Sequence, residues 1–534
     1  MALEKLDRGS FDVLIVGGGI NGAVSAAVLA GRGANVALVD RGDFGGFTSQ
    51  ASSNLVWGGF KYLESYEFFL VRKLCVSRNR LIKAYPDNIK PIGFLATLDR
   101  GSPFPPWLAA LGSLAYWAIG SFRTHRPRLL SAKKIESIEP VVNTSGARGG
   151  IEYYDAYLPD NDSRFVFSFV RSAMDVGATA ANYVELAGAE RTRHGWRATL
   201  RDVENGGREI SCHARVIINA AGPFIDALNE DLGPQTKHRV VYSKGIHLVV
   251  PRLTDNERVL AFFDDTKRLF YVIPMGRRSV IGTTDTRVGT PYTRVTDEDR
   301  DFLLAQINAR LDLDTPLSPS DVIADRSGVR PLVVKREGGD QEDVDWTKLS
   351  RKHEVEVDKD RQVISLFGGK LTDCLNIGEE VADAVEKLGV PLEDDTGGWY
   401  GEPAAATRAE FYRQARLMKL DDLRRRPEVE PLSDRLWRRY GRRAFQMLDA
   451  IRQDRSMGED IMKSADYLRV ELHLAARTEM VTKLEDFLRR RSKITQVIHD
   501  EDVRTSEGLR EVAEILFDGR ADEKLIEYFG ELPV

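Results

Sequence analysis

The sequence predicts an α/β fold built in three parts: a parallel β-α-β unit at the start, an antiparallel sheet in the middle and an all-helical C-terminal region. Residues 11–16, FDVLIV, form a short apolar run closed by three glycines, as a strand buried on both faces does. Between Val240 and Thr286 the segments VVYSKGIHLVVP, RLFYVIPM and SVIGTTDT read as short antiparallel strands, a different layer from the opening unit. Beyond about residue 403 strand signals vanish, and Arg, Glu, Leu and Ala recur at helical spacing.

The opening unit has a recognisable chemistry. The apolar run leads into GGGINGAV, whose Gly17, Gly19 and Gly22 make GxGxxG. An alanine-rich helix follows over Ala23 to Ala30, and NVALV, residues 35–39, is the second strand, with Asp40 at its end. That context turns a weak motif into a dinucleotide fingerprint. Gly17 allows the tight turn, Gly19 lets backbone approach a pyrophosphate, and Gly22 permits close helix–strand packing. The helix N-terminus offers N–H groups and a positive dipole end to the phosphates, and Asp40 is placed to accept from a ribose.

Bulk properties narrow the class. A chain of 534 residues outgrows one core, so two or three domains are expected. With 42% hydrophobic and 29% charged residues it has the balance of a globular protein, and a net charge of −5 argues against nucleic-acid binding. Cys75, Cys212 and Cys374 are scattered without a CxxC, which fits a reducing cytosol and small buried side chains rather than disulfides or a metal site. The charged start MALEKLDRGS has no apolar export core, so a cytoplasmic location is expected. The stretch from Phe104 to Phe122 is apolar but opens with prolines and is marginal for the ~20 residues of a spanning helix. Its Trp107, Tyr116 and Trp117, followed by Arg123, Arg126 and Arg128, suit docking at a membrane surface; a buried hairpin or an oligomer contact is the plainer reading. Arginine clusters at 424–426, 438–439, 442–443 and 489–491 read most simply as solvated helix faces.

The segment after Asp40, RGDFGGFTSQASSNLVWGGFKYLE, is dense in Gly, Ser and Thr with no ordinary second β-α unit, as if a loop wraps a cofactor. Here the chain resembles the FAD-dependent glycerol-3-phosphate dehydrogenases, the quinone-linked enzymes and their oxidase cousins. Their stretch TSSASSKLIHGGLRYLE stands here as TSQASSNLVWGGFKYLE, Thr48 to Glu64. The resemblance continues through YSKGIHLVVP, VIGTTDT, SGVRPL and LFGGKLT, and ends in LEDFLRRRSKI, covering nearly the whole chain in order. It implies an FAD-binding Rossmann-like domain over 10–95, 150–240 and 353–395, an antiparallel-sheet substrate domain over 96–149 and 241–352, and a helical domain over 403–534. It also implies FAD contacts from Thr48, Ser49, Ser53, Gly222, Asp285 and Thr372 beside the fingerprint residues. No His or Cys in Arg41–Glu64 could tether the flavin covalently, so it is expected to be held without a covalent bond.

Oxidation of a secondary alcohol by flavin needs a hydride acceptor, a sink for the hydroxyl proton and groups that hold the substrate. For a phosphorylated polyol the holding groups are cations, and arginine's planar fork suits phosphate. The resemblance points to Arg330 in SGVRPL, Arg351 in LSRKHEVEV and Lys370 in FGGKLT, with Lys61 and Tyr62 where the family has an Arg-Tyr pair. His247, inside GIHLVVP, is equally well a satisfied core residue or a base near the flavin. Three positions depart from the family pattern. Its His is Trp57, its Lys is Asn54, and its Arg is Lys61, which keeps the charge but loses the bidentate fork. Indole cannot accept a proton.

The leading reading is therefore oxidation of sn-glycerol 3-phosphate to dihydroxyacetone phosphate by FAD, with a quinone as acceptor, by a homodimer lying on the inner face of the cell membrane. A relative acting on another polyol phosphate, a hydroxy acid or an amine is the alternative that Trp57 and Lys61 raise. A flavin-binding sensor or scaffold without turnover is the third.

Overall fold

The computed structural model describes residues 2–265, 267–336, 352–395, 398–424, 430–462 and 465–532. Two sheets organise it. The first has eight strands in the order Glu354–Asp358, Val363–Phe367, Glu209–Asn219, Ser10–Val16, Val36–Asp40, Thr179–Asn182, with the hairpin Val184–Thr192/Gly195–Asp202 joined to Glu209–Asn219. The neighbours of Ser10–Val16 run parallel to it, and its core positions Val13, Leu14 and Ile15 are fully buried, which accounts for an unbroken apolar run. The helices Ile20–Gly31, Asp162–Asp175 and Cys374–Lys387 contribute to the same apolar core.

The second sheet has ten strands and is mainly antiparallel. Its spine is His238–Pro251, which pairs antiparallel with Ala324–Lys335 from His238 opposite Lys335 to Val249 opposite Ala324. This register sets His247 beside Arg326 on one neighbour and beside Gly282 on the other. The strands Lys90–Asp99 and Ala147–Tyr157 pair with each other in this sheet, so it draws on chain from both sides of residues 95 and 150.

After residue 403 the described residues are almost wholly helical, from Ala405–Leu417 to Ala521–Phe529, around two apolar cores. The expectation that the arginine clusters here are solvated faces is corrected by the structure. Arg490 and Arg491 are buried on Asp43 at 2.7 and 2.8 Å, and Arg438 and Arg439 are buried on Asp160 at 2.5 and 2.7 Å. Arg442 is exposed, and Arg425 and Arg426 lie outside the described residues. The reason is tertiary: although Asp486 and Glu430 pair locally with Arg490 and Arg438, the carboxylates that draw these arginines inward, Asp43 and Asp160, stand hundreds of residues earlier, where no helical spacing reveals them. Burial alone would raise Asp43, but Arg491 and Arg490 hold its carboxyl below the usual range. Removing one partner of such a pair costs about 3–5 kcal/mol, because a charge is left buried and uncompensated.

The apolar stretch forms the helix Pro106–Ile119, fourteen residues. Among the described residues no helix is long and apolar enough to cross a membrane. Cys75, Cys212 and Cys374 are buried and free, and burial raises each thiol, Cys75 and Cys212 to about 11.

Candidate functional site

At the C-terminal ends of the parallel strands lies a cleft of about 280 Å³. The structure brings Gly17, Gly19, Asp40, Thr48, Ser49 and Gly222 together around it, from four separate segments. Gly17 has φ +105°, and a Cβ there would lie 2.4 Å from the Ala220 carbonyl oxygen, so the turn admits glycine alone. A Cβ on Gly22 would lie 1.8 Å from the Gly17 carbonyl oxygen: this glycine lets helix and strand touch. Gly19 differs, since a Cβ there would meet only the Ser49 hydroxyl, at 3.2 Å. Its backbone is crowded by nothing but the cleft. Asp40 closes the turn by accepting the N–H of Gly18 at 2.6 Å and of Gly42 at 2.8 Å, while burial raises its carboxyl. Ser49 accepts the Ile20 N–H, and Thr48 donates to the Val329 carbonyl at 2.5 Å.

The other expected residues sit farther along. Ser53 is half-buried just before the strand Leu55–Val56, and Thr372 is buried in the turn Leu371–Asp373. Asp285 accepts from Ser243 and, at 3.3 Å, from Arg330. Arg330 also donates to Thr283 Oγ1 at 2.7 Å and to the Thr284 carbonyl at 3.2 Å, lying over Gly245, where a Cβ would collide with it. His247, 3% exposed, has no partner for Nδ1 among the described residues. Burial first, then Arg326 and Arg330, hold its pKa well below the usual value, so it is neutral at pH 7.

Lys370 meets the Tyr62 hydroxyl, its ammonium 4.0 Å from the ring centroid, and the Trp57 ring lies 5.9 Å from that of Tyr62. Lys61, one residue away, is exposed. Arg351 lies outside the described residues. Asn54 is tied into the fold: with φ +57° it donates to the Asp160 carbonyl at 2.5 Å and accepts from Arg326 at 2.9 Å. Arg326, buried and drawn down to about 10 by burial, also reaches Gln496 at 2.5 Å and so links three parts of the chain.

Two features escape sequence reasoning. Arg41 lies 3.7 Å from the Phe224 ring centroid and donates to the Tyr292 hydroxyl at 2.9 Å, with Phe47 edge-on to Phe224 at 5.0 Å. Arg41, Phe47 and Phe224 line the cleft, and Tyr292 reaches them from a segment too far off for any spacing rule. The second is His353, buried, whose Nδ1 is 2.6 Å from Asp373 and whose Nε2 is 2.9 Å from Glu380, itself paired to Lys73 at 2.7 Å. It pins the turn that carries Lys370 and Thr372.

The FAD dependent oxidoreductase family matches residues 12–347, and the C-terminal domain of alpha-glycerophosphate oxidase matches residues 428–518. Glycerol-3-phosphate dehydrogenase 2 of Mycobacterium tuberculosis is 31% identical, the match covering 97% of this chain and 86% of that one. The chain belongs to the FAD-dependent glycerol-3-phosphate dehydrogenase family. The Pseudomonas aeruginosa glycerol-3-phosphate dehydrogenase is 29% identical over 91% of this chain and 92% of its own. A solved glycerol-3-phosphate dehydrogenase from Bacillus halodurans, complexed with FAD, shares the fold with a TM-score of 0.74 at 23% identity, covering 99% and 96% of the two chains.

The family's cofactor is FAD, and the first cleft fits a dinucleotide. Its floor is the N-terminus of the helix Ile20–Gly31, where Gly19 adds no side chain and the Ser49 hydroxyl alone stands at the first turn, which is where a pyrophosphate is best received. Gly19→Val is expected to give folded protein that loses flavin absorbance, because the branched side chain fills the cleft. Gly22→Val is expected to lose the fold itself; circular dichroism and the flavin spectrum of the two variants separate these effects.

His353 supplies a pH test. Burial opposes its charge, but hydrogen bonds and charges from Asp373 and Glu380 prevail and raise its pKa above 6.5, while Glu380, hydrogen-bonded to His353, falls to about 2. A raised histidine stabilises in full below its unfolded pKa, and that gain fades as pH rises through the folded value. His353→Gln should therefore cost roughly 1–3 kcal/mol at pH 6 and less at pH 9, read from denaturation midpoints at each pH.

Proposed function

We propose that the protein oxidises sn-glycerol 3-phosphate to dihydroxyacetone phosphate, with a membrane quinone as the final electron acceptor. One observation carries this reading. Pro331, Gly368 and Gly369 line the dinucleotide cleft, and the residues next to them in the chain are Arg330 and Lys370. Two cations thus stand one residue along the chain from the cleft's lining, and an anionic substrate held by them would lie beside the flavin end of that cleft. The relatives named above as glycerol-3-phosphate dehydrogenases supply the identity of that anion.

Bound FAD supplies the acceptor for the hydride from the substrate's secondary carbon. Gly17, Gly19, Gly22, Asp40, Thr48, Ser49 and Gly222 shape the end that receives its phosphates and ribose. Arg330 and Lys370 hold the substrate and stabilise negative charge as it develops on the reacting oxygen. His247 takes the hydroxyl proton at Nδ1. Burial, the largest cause of its depressed pKa, keeps the imidazole neutral and so able to accept a proton, and an anionic substrate beside Arg330 would offset one of the two charges that add to burial. Tyr62 orients Lys370, and Trp57 packs beside Tyr62 as an apolar wall.

The test is anaerobic bleaching of the flavin by glycerol 3-phosphate. Arg330→Gln and Lys370→Ala should each lower the bleaching rate constant by about 10²–10³-fold, as loss of one oxyanion-stabilising donor does. Faster bleaching by glycerol, a hydroxy acid or an amine, unaffected by either substitution, would instead support a different substrate, which is the reading that Trp57 favours.

Access to a quinone is supported by an exposed apolar face. Trp107, Leu108, Leu111 and Leu114 of Pro106–Ile119 are exposed, as are Phe122 and, at the start of the helix Phe68–Ala84, Phe68 and Phe69, the last 94% exposed. Arg72 joins the two helices by donating to the Ile119 carbonyl at 2.5 Å. With exposed Arg123 and Arg126 alongside, the face suits an anionic lipid surface. Substituting Trp107, Leu111 and Phe69 together by Ala should reduce co-sedimentation with phosphatidylglycerol vesicles by about tenfold or more, at ~0.8 kcal/mol per buried methylene. Reduction of a soluble dye should stay unchanged. Undiminished vesicle binding, or loss of a dimer instead, overturns the lipid assignment.

A further inference from the structure

A second cavity, about 470 Å³, shares no lining residue with the dinucleotide cleft. It opens where the helix Asp162–Asp175 and the Tyr85–Asn88 turn face the first part of the helical region, around Glu402 and Trp437–Arg443. Neither flavin binding nor the proposed oxidation uses it. Its walls are of two kinds. Tyr85, Phe165 and Trp437 make an apolar side, and Arg171, Arg442 and Arg443 make a cationic rim.

The rim is out of balance. Arg171 and Arg443 both pair with Asp175, at 2.8 and 2.7 Å. Arg442 is exposed and has no ion-pair partner among the described residues. Arg171 and Arg443 thus share one carboxylate and Arg442 adds a third guanidinium to the rim, while the lining acids Asp160 and Glu479 are engaged by Arg438, Arg439 and Arg164. Deeper in, donors lack acceptors. Trp437 is 1% exposed, and its indole N–H has no partner among the described residues; the same holds for Nε of Arg164, although the rest of that guanidinium is held by Glu479 and the Arg491 carbonyl. Glu402 is the counterweight: its Oε2 is also unpartnered among the described residues, and burial beside Asp87 raises it to about 7, so near neutrality it is only partly charged. Ion pairs that served docking alone would be neutralised within the seam, as those of Asp43 and Asp160 are.

We propose that this cavity is a second ligand site, for a small organic phosphate with a flat, apolar-faced body. The phosphate sits among Arg171, Arg442 and Arg443, whose planar forks match its paired oxygens, and the body lies against Tyr85, Phe165 and Trp437. A bound ligand joins the helix Asp162–Asp175 to the helical region, so it stabilises their docking by mass action.

The experiment uses the FAD-loaded full chain with adenosine 5′-monophosphate as the probe, and adenosine and inorganic phosphate as its separate halves. Adenosine monophosphate should raise the melting temperature saturably and change tryptophan emission, leaving flavin absorbance as it was. Arg442→Gln with Arg443→Gln removes one exposed side chain and one ion pair to a half-exposed partner, so the variant should fold and turn over normally. Its affinity for the probe should fall at least about tenfold, the loss expected on removing a charge-assisted hydrogen bond. Trp437→Phe should abolish the emission change. Absence of a saturable response, a response undiminished in the double variant, an equal response to phosphate alone, or displacement of the probe by glycerol 3-phosphate would each overturn the proposal.

Discussion

Asp43 is fully buried between the guanidiniums of Arg490 and Arg491, and this pairing joins the two ends of the protein. Asp43 stands three residues past Asp40, within the glycine-rich loop that lines the cleft, and its partners lie in the chain's helical region. Around it the seam is continued by Tyr183 donating to Asp486 at 2.6 Å and by Asn161 donating to the Arg489 carbonyl at 2.6 Å. A loop of this composition has little apolar surface of its own and would be loose in isolation. Charges contributed from more than four hundred residues away hold it in shape.

The same economy of placement governs the second sheet. His238–Pro251 and Ala324–Lys335 lie in one long register, so that His247, Arg326 and Arg330 share a neighbourhood. Arg326 serves structure, bridging Asn54 to Gln496, whereas Arg330, next in the chain to the cleft-lining Pro331, is held by a threonine pair and Asp285. Two arginines four residues apart thus have different duties. The difference lies in what each meets: a buried set of neutral acceptors for one, a half-exposed turn beside Pro331 for the other.

Much of the site was legible because glycine's constraints are local. Gly17 and Gly22 are required by backbone atoms within a few residues or on the adjoining strand, and their spacing alone announces the turn. Asp40 follows from the length of one β-α-β unit. Lys370 and Arg330 were singled out through their motifs, but that their chain neighbours Gly369 and Pro331 line one cleft was not legible, since these arrive there from different sheets. Lys61 and Tyr62 are adjacent in sequence, yet one is exposed and the other meets Lys370. His353 and the Arg41–Phe224–Tyr292 cluster had no signal, because single aromatic, basic and histidine residues in loops carry no periodicity.

The sequence by itself determined the α/β class, the dinucleotide turn, the antiparallel middle and the helical end, because each rests on short-range sterics and on hydrophobic periodicity that repeats within a dozen residues. Only the tertiary structure decided which charges are buried. Arginines that read as a solvated helix face are matched by carboxylates at Asp43 and Asp160, and burying such charges is affordable only once their partners are in place. That pairing is a property of the folded chain, since the energy of a charge is set by what surrounds it in space, and sequence neighbours do not record it.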